Sequence, residues 1–285
     1  MRLAAEAPAK INRELRVGHL RPDGYHEILS RMVSIDLGDR LTAEPSDALE
    51  FFCDDPAVPG GEDNLVVRAA RLLAARAGVR AGARLRLEKR TPTGGGLGGG
   101  SADAAVALRL LARLWDCEER VGGLGALAAE IGSDVPFFLA GGEAEVSGRG
   151  ETVRPVADGP PTPLLLLLPP FPVSTAAVYR AYAGRGRLPE RLETAGNGGD
   201  RYLGPNDLTP AVLQVEPRME AYLASAALVT DDFAVSGSGA TIVLRADARA
   251  RETLARRHPE ARLYTCTTLT RDAYQRRIDP NGGSS

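Results

Sequence analysis

Three cysteines among 285 residues are too few, and odd in number, for a disulfide framework, and Cys53, Cys117 and Cys266 stand at no metal-binding spacing. All three read as free thiols. The chain also lacks an excess of either charge: 35 basic and 37 acidic residues leave a formal net charge of -2, which gives no electrostatic footprint for nucleic acid or an anionic membrane. The longest apolar run, Leu164 to Leu168, is far too short to cross a bilayer. No segment near the start combines a charged stretch, an apolar stretch and a cleavage site. There is no internal repeat and no mixture of charge run and aromatics that would mark an interaction tail. These absences predict a cytoplasmic protein with a small-molecule partner, without nucleic-acid or membrane partners; independently of them, a monomer or weak homodimer is expected.

What is present is glycine, concentrated in one place. Pro92-Thr93-Gly94-Gly95-Gly96-Leu97-Gly98-Gly99-Gly100-Ser101 puts six glycines into seven positions. A short alternating strand, Ala83 to Leu87, precedes it, and a helical pattern of Ala104, Ala105, Leu108, Leu111, Ala112 and Trp115 follows. Ser101 is the expected N-cap of that helix, with Asp103 in its first turn. Bare backbone at a helix start admits close approach, and its free N–H groups and dipole favour an anion. A flexible linker is the bland alternative, although linkers rarely run into a capped, alanine-rich helix. A Walker loop is excluded because Gly100 stands where its lysine would be. Gly94, Gly96 and Gly99 satisfy a dinucleotide fingerprint almost automatically, but Asp116, Cys117, Glu118 and Glu119 follow Trp115 in place of a strand ending in an acidic residue. Spacing alone leaves an atypical nucleotide-binding loop.

With 44% hydrophobic content the chain can bury a large core, in one big or two moderate domains. Strands are expected over Leu3 to Ala7, Ile11 to Val17 and Met32 to Leu37, with a turn at Asp23-Gly24. Helices are expected over Asn64 to Gly78 and Leu124 to Ile131, and a further one opens at Ser133-Asp134-Val135-Pro136. The break Asp158-Gly159-Pro160-Pro161-Thr162-Pro163 divides the chain into domains 1–157 and 158–278. A mobile loop is expected at Gly196 to Asp200 and a frayed tail over 279–285.

Five separated segments then fit one pattern: Pro8-Ala9-Lys10-Ile11-Asn12, Asp23-Gly24-Tyr25-His26, the glycine loop from Pro92 to Ala102, Gly132-Ser133-Asp134-Val135-Pro136, and Ser236-Gly237-Ser238-Gly239-Ala240-Thr241. This ordered set resembles the GHMP kinase superfamily over nearly the whole chain, and Pro-Ala-Lys-x-Asn with Asp-Gly-Tyr-His points to its cytidyl-substrate branch. The resemblance implies an α+β, two-domain fold. Its N-terminal domain would be ribosomal protein S5 domain 2-like and its C-terminal domain a ferredoxin-like α/β unit, with the active site in the cleft between them. It implies ATP and Mg2+ as cofactors and phosphorylation of a tertiary hydroxyl on a cytidine diphosphate-linked methylerythritol.

By the same resemblance Asp134 accepts the hydroxyl proton, and Lys10 orients the hydroxyl or Asp134 and offsets charge. Pro92, Thr93, Gly94, Gly95, Gly96, Leu97, Gly98, Gly99, Gly100, Ser101 and Ala102 wrap the ATP phosphates, with the Ser101 hydroxyl near phosphate or Mg2+. Asn64 and Lys89 fall at the adenine end. Asn12 binds the methylerythritol hydroxyls, Tyr25 and Tyr179 stack on the cytosine ring, and His26 bonds its edge. Plain alternatives stand beside these roles: helix caps for Asn64, Ser101 and Asp134, a solvated lysine for Lys10, an exposed strand end for Lys89, a buried helix aromatic for Tyr179, and a local backbone partner for Asn12.

The chain departs from the family in three places. Arg13 occupies the alternating set of Ile11, Leu15 and Val17 where an aliphatic residue is expected, so it needs a partner or the strand is displaced. Glu143 and Glu145 stand where small or neutral residues are expected. Two rival functions remain open on the sequence: another GHMP kinase, acting on homoserine, mevalonate or a sugar, and a catalytically silent nucleotide-binding homologue.

Overall fold

Pro8 and Ala9 separate the two N-terminal segments expected as strands, yet one bent strand, β1 (Leu3–Leu20), carries both. The register against β2 (His26–Ser46) jumps between Pro8↔Gly38 and Lys10↔Ser34, so Pro8 sits at an irregularity, where its missing N–H is tolerated. β3 (Leu49–Cys53), β4 (Gly82–Glu88), β5 (Glu143–Gly148) and β6 (Thr152–Pro155) complete a sheet of order β3-β4-β2-β5-β6, with β1 also paired to β2. β3 and β4 are parallel and the other pairings antiparallel. The computed structural model describes residues 1–183 and 201–279. The loop expected at Gly196 to Asp200 and the tail beyond Asp279 lie outside the described residues.

Four helices pack with this sheet: α1 (Leu65–Ala77), α2 (Gly99–Leu114), α3 (Gly125–Ile131) and α4 (Val135–Ala140). Asn64 caps α1, its side chain accepting from Val66 N, and Gly78 ends it in the left-handed region. α2 is buried along most of its length from Ala102 to Ala112, which is why its inward residues are so often alanine: only small side chains let it sit close to β1, β2 and α1. The expected start of α2 is corrected. Gly98, in the left-handed region, holds the N-cap, and Gly99 and Gly100 already belong to the helix. Ser101 therefore lies in the first turn, and Asp103 lies beyond it. The reason is tertiary: Lys10 N donates to Leu97 O (3.0 Å) and fixes the loop where the helix must begin.

The second sheet is antiparallel, with order β10-β7-β9-β8. Its elements run β7 (Pro163–Leu168), α5 (Thr175–Ala183), α6 (Thr209–Val215), α7 (Met219–Ala227), β8 (Phe233–Val235), β9 (Ile242–Leu244), α8 (Ala248–Arg257) and β10 (Arg262–Thr267). This is the β-α-β-β-α-β succession of a ferredoxin-like unit, with helices inserted. The last helix, α9 (Arg271–Ile278), does not stay with it. Tyr274 and Ile278 are buried in the first core, and the Tyr274 hydroxyl donates to Phe138 O (2.6 Å). α9 thus follows the second sheet in sequence but packs against β1 and the end of α4, where Gln275 Nε2 also donates to Ala140 O (2.8 Å). Between the sheets, Ala9, Ile11 and Leu97 from one side pack with Leu164, Leu166, Val243 and Cys266 from the other.

Arg13 is partnered. It pairs with Glu143, its Nε donates to Tyr202 O (3.1 Å), and its guanidinium lies 3.8 Å from the Tyr202 ring centroid. Arg31 Nε also donates to Glu143 (2.8 Å). Two of the departures in sequence thus answer one another. Glu145 pairs with Arg154 at 2.9 Å on the sheet surface.

Candidate active site

The glycine loop is held from below by backbone. Thr241 N donates to Gly95 O (3.3 Å), and the Ser236 hydroxyl donates to Gly96 O (3.1 Å). Gly96 has φ 76°, and a Cβ there would stand 2.2 Å from Ser236 O. Only glycine allows the two glycine turns to touch in this way. Asn206 braces the second turn, donating to Val235 O (2.8 Å) and Gly237 O (2.7 Å). The upper side of the first loop stays open. It lines an open groove of about 210 Å³ together with Val58, Pro59, Asn64, Leu65 and Lys89. Gly98, Gly99 and Gly100 at the start of α2 line the same groove, and the first N–H groups of a helix have no partner within it.

Lys10 lies at the far end of the loop. It is buried, and its Nζ donates to Asn12 Oδ1 (2.6 Å) and stands 3.5 Å from Asp134 Oδ2. Asn12 Nδ2 donates to the Ser30 hydroxyl (2.7 Å), which donates to Glu14 O (2.6 Å). Ser30 has one proton and spends it on Glu14, so it must accept from Asn12; this fixes the amide with its oxygen toward Lys10. Asp134 occupies the N-cap position of α4, yet its side chain makes no cap bond, and it is 30% exposed beside Lys10. The capping alternative for Asp134 is thereby set aside. The solvated alternative for Lys10 is set aside too.

His26 and Tyr179 come together, their rings stacked at 5.7 Å and 29°. His26 is buried, with Nδ1 2.9 Å from Gly18 O, and Tyr182 meets it edge-on. Burial first, and the Asp134 carboxylate second, push the Tyr179 hydroxyl well above its ordinary pKa. The Asp134 carboxylate is therefore near enough to the aromatic pair to act on the Tyr179 hydroxyl. Tyr25 stands apart from them: its ring is 49% exposed, and the Arg149 guanidinium lies 5.0 Å above it.

Asn64 and Lys89 both line the groove. The alternative of an exposed strand end at Lys89 is set aside: the side chain is buried, with its Nζ 2.5 Å from Asp39 Oδ2 and 2.9 Å from Asp103 Oδ2. Burial would lower the Lys89 pKa, but the two carboxylates more than offset it and hold it above the ordinary lysine value. Ser101 stands half-buried in the first turn of α2, next to but not among the residues Gly94 to Gly100 that line the groove. No cluster of three or more His, Cys, Asp or Glu side chains able to hold a metal occurs among the described residues. No helix among them is long and apolar enough to cross a membrane.

Sequence reasoning missed Ser30, Asp39, Asp103 as a buried anion, and Asn206. Ser30 had a signal, since it interrupts the alternating buried set of Ile28 and Met32 on β2. The lysines had a stronger one: Lys10 and Lys89 are the two lysines of a chain with 35 basic residues. Nothing local marks Asp39 or Asn206, whose partners are remote in sequence.

The family described as GHMP kinases N terminal domain matches residues 64–142, from the cap of α1 to the end of α4. The 4-diphosphocytidyl-2-C-methyl-D-erythritol kinase of Salinibacter ruber is 42% identical over 255 residues, covering 85% of this chain and 89% of that one. The protein of the same name from Pelotomaculum thermopropionicum is 50% identical over 184 residues, 64% of each chain. A crystal structure of 4-(cytidine 5'-diphospho)-2C-methyl-D-erythritol kinase superposes with a TM-score of 0.76 at 35% identity, covering 93% of this chain and 99% of that one. Homoserine kinase from Cytophaga hutchinsonii, at 18% identity and a TM-score of 0.67 over 94% of this chain and 95% of that one, shares the fold. The glycine loop, the Lys10–Asp134 pair and this likeness across almost the full length agree: the chain belongs to the 4-diphosphocytidyl-2-C-methyl-D-erythritol kinase family of the GHMP kinases.

Proposed function

We propose that the protein transfers the γ-phosphoryl group of ATP to the 2-hydroxyl of 4-diphosphocytidyl-2-C-methyl-D-erythritol, giving the 2-phosphate and ADP in the methylerythritol phosphate route to isoprenoid precursors. One observation carries the reaction type: Lys10 and Asp134 lie 3.5 Å apart beside a glycine loop that opens a helix. A carboxylate able to take a proton thus stands next to backbone able to hold phosphate.

Phosphoryl transfer asks the protein for alignment and charge more than for covalent help. The substrate oxygen bonds to the γ-phosphorus as the bridging P–O bond breaks, and its proton passes to Asp134. Of the three N–H donors of Lys10, one goes to Asn12 and one faces Asp134. The third is left for the substrate oxygen or the transferring phosphoryl group. The N–H groups at the start of α2 receive phosphate oxygens. Asn64 bounds the end of the groove assigned to the base. The Ser101 hydroxyl, in the first turn of α2, would hold Mg2+ on the protein side, where the ion would neutralise phosphate charge.

On the acceptor side, the His26–Tyr179 pair supplies a flat aromatic wall with a ring nitrogen for a pyrimidine edge, and Asn12 reaches the polyol. Tyr25, exposed beside Arg149, would close over the other face of the cytosine. This pairing favours a cytidyl substrate over homoserine or mevalonate, neither of which has a ring to stack. The test is ADP release by purified protein with MgATP across a panel of the cytidyl substrate, mevalonate and homoserine. Release with the cytidyl substrate alone, competed by CDP, is expected. Folded protein that releases no ADP with any of the three would sink the proposal, and release with another member of the panel would redirect it.

A further inference from the structure

Lys89 ends β4, immediately before the glycine loop, and lines the groove; a direct nucleotide contact is the simplest role for it. The structure has already committed its ammonium. We propose that Lys89, Asp39 and Asp103 form a clamp that fixes the two ends of the glycine loop relative to one another, so that Lys89 acts on the nucleotide only through the shape of the loop. This inference rests on the reading of the groove as the ATP site.

The geometry closes a circuit around the loop. Asp39, on β2, accepts Arg90 N (2.6 Å) and Thr91 N (2.7 Å) with Oδ1, fixing the entrance of the loop, and accepts Lys89 Nζ (2.5 Å) with Oδ2. Lys89 Nζ then donates to Asp103 Oδ2 (2.9 Å) on α2, the helix into which the loop exits. The sheet, the loop entrance and the loop exit are thereby tied by charge-assisted bonds. Asp39 is 0% and Asp103 2% exposed, so water competes little for either. The clamp also packs tightly against the helix start, where a Cβ on Gly99 would lie 2.9 Å from Thr91 Cγ2 and 3.4 Å from Lys89 Nζ.

The charges argue the same way. One ammonium faces two buried carboxylates, so it has no positive charge to spare for phosphate. Removing Lys89 would leave two carboxylates close together under the loop, and their repulsion would spread the ends apart. Removing either carboxylate would free the ammonium but untie one end. A clamp and a direct contact therefore predict opposite results for the two aspartates. Lys89 is a positioning residue, and each aspartate acts through it and through the loop backbone.

The experiment titrates a non-hydrolysable ATP analogue, and separately CDP, into the full chain and into Lys89→Met, Asp39→Asn, Asp103→Ala and Lys89→Met/Asp103→Ala. Asparagine at 39 cannot accept on both sides at once, so it breaks one end of the clamp while keeping its shape. Each single variant should bind the analogue about tenfold or more weakly, CDP affinity should be unchanged, and the double variant should be no worse than the worse single one, as for members of one network. If Lys89→Met alone weakens the analogue while the two aspartate variants bind it as tightly as wild type or more tightly, Lys89 is a direct contact and the clamp is overturned. Equal binding by wild type and all variants overturns the clamp alone. Parallel loss of CDP binding marks a general structural role and also overturns it. A wild type that binds CDP but not the analogue removes the ATP reading of the groove and the clamp with it.

Discussion

The surroundings of Lys10 and of Lys89 make opposite use of the same side chain. Both lysine side chains are buried beside the glycine loop, and both face carboxylates. Lys89 is saturated, with two carboxylates at 2.5 and 2.9 Å that are themselves almost fully buried. Lys10 is underused: its one short bond goes to the neutral Asn12 amide, and its carboxylate stands 3.5 Å away and 30% exposed. A saturated ion pair resists rearrangement and holds structure, whereas a loosely paired one can exchange its partner for a substrate. Burial alone does not separate these roles, and the state of the partners does.

The sharpest way to break the comparison is Asp134→Asn. Without a proton acceptor, turnover should fall by about 10³-fold, within the range for a general base, while the affinity for a non-hydrolysable ATP analogue stays within about twofold. Steady-state kinetics and calorimetry on the same preparation check it, and a variant that keeps its turnover would remove Asp134 from the chemistry. Gly98→Ala comes next. Gly98 has φ 71°, and a Cβ there would lie 2.8 Å from Phe138 Cζ and 3.1 Å from Lys10 Cε. Turnover should drop by about 10²-fold through displacement of Lys10. Nucleotide affinity should fall with it, since the same residue caps α2.

The smallest expected effect is a pH dependence on the Lys89 side. Burial first, opposed by Lys89 and reinforced by Asp39, holds the Asp103 pKa well above the ordinary carboxylate range. A raised folded pKa means that the native state binds the extra proton. The stability contributed by Asp103 is therefore fully present below the ordinary carboxylate pKa and lost as pH rises through the folded value. Asp103→Asn does not titrate. Its stability relative to wild type should rise in denaturant melts as the pH climbs above the ordinary carboxylate range. A pH-independent difference would show that Asp103 is ionised throughout.

Much of the molecule was legible in the chain because its signals are local. The capped α1 with Gly78 at its end, the strand before the loop, the start of α4 at Pro136 and the apolar β7 each follow from a few neighbouring residues. The reading failed where distant segments set the outcome. The start of α2 shifted from Ser101 to Gly99 because β1 grips Leu97 O, and α9 left its neighbours in sequence because Tyr274 finds its burial beside Phe138. Arg13 looked like a defect until Glu143, itself unexpected, proved to be its partner.

The sequence by itself determined the family, and it singled out the glycine loop and the Lys10–Asp134 pair proposed for phosphate and proton, since a bare backbone before a helix and a handful of ordered motifs have few other uses. Which lysine is poised and which is tied, only the tertiary structure decided. That distinction depends on Asp39, Asp103, Ser30 and Asp134, side chains up to 124 positions from the lysine they serve, brought within a few ångströms by the pairing of β1, β2 and β4 and the docking of α2 and α4. Charge and hydrogen-bond geometry act over ångströms, and the chain order does not record those distances.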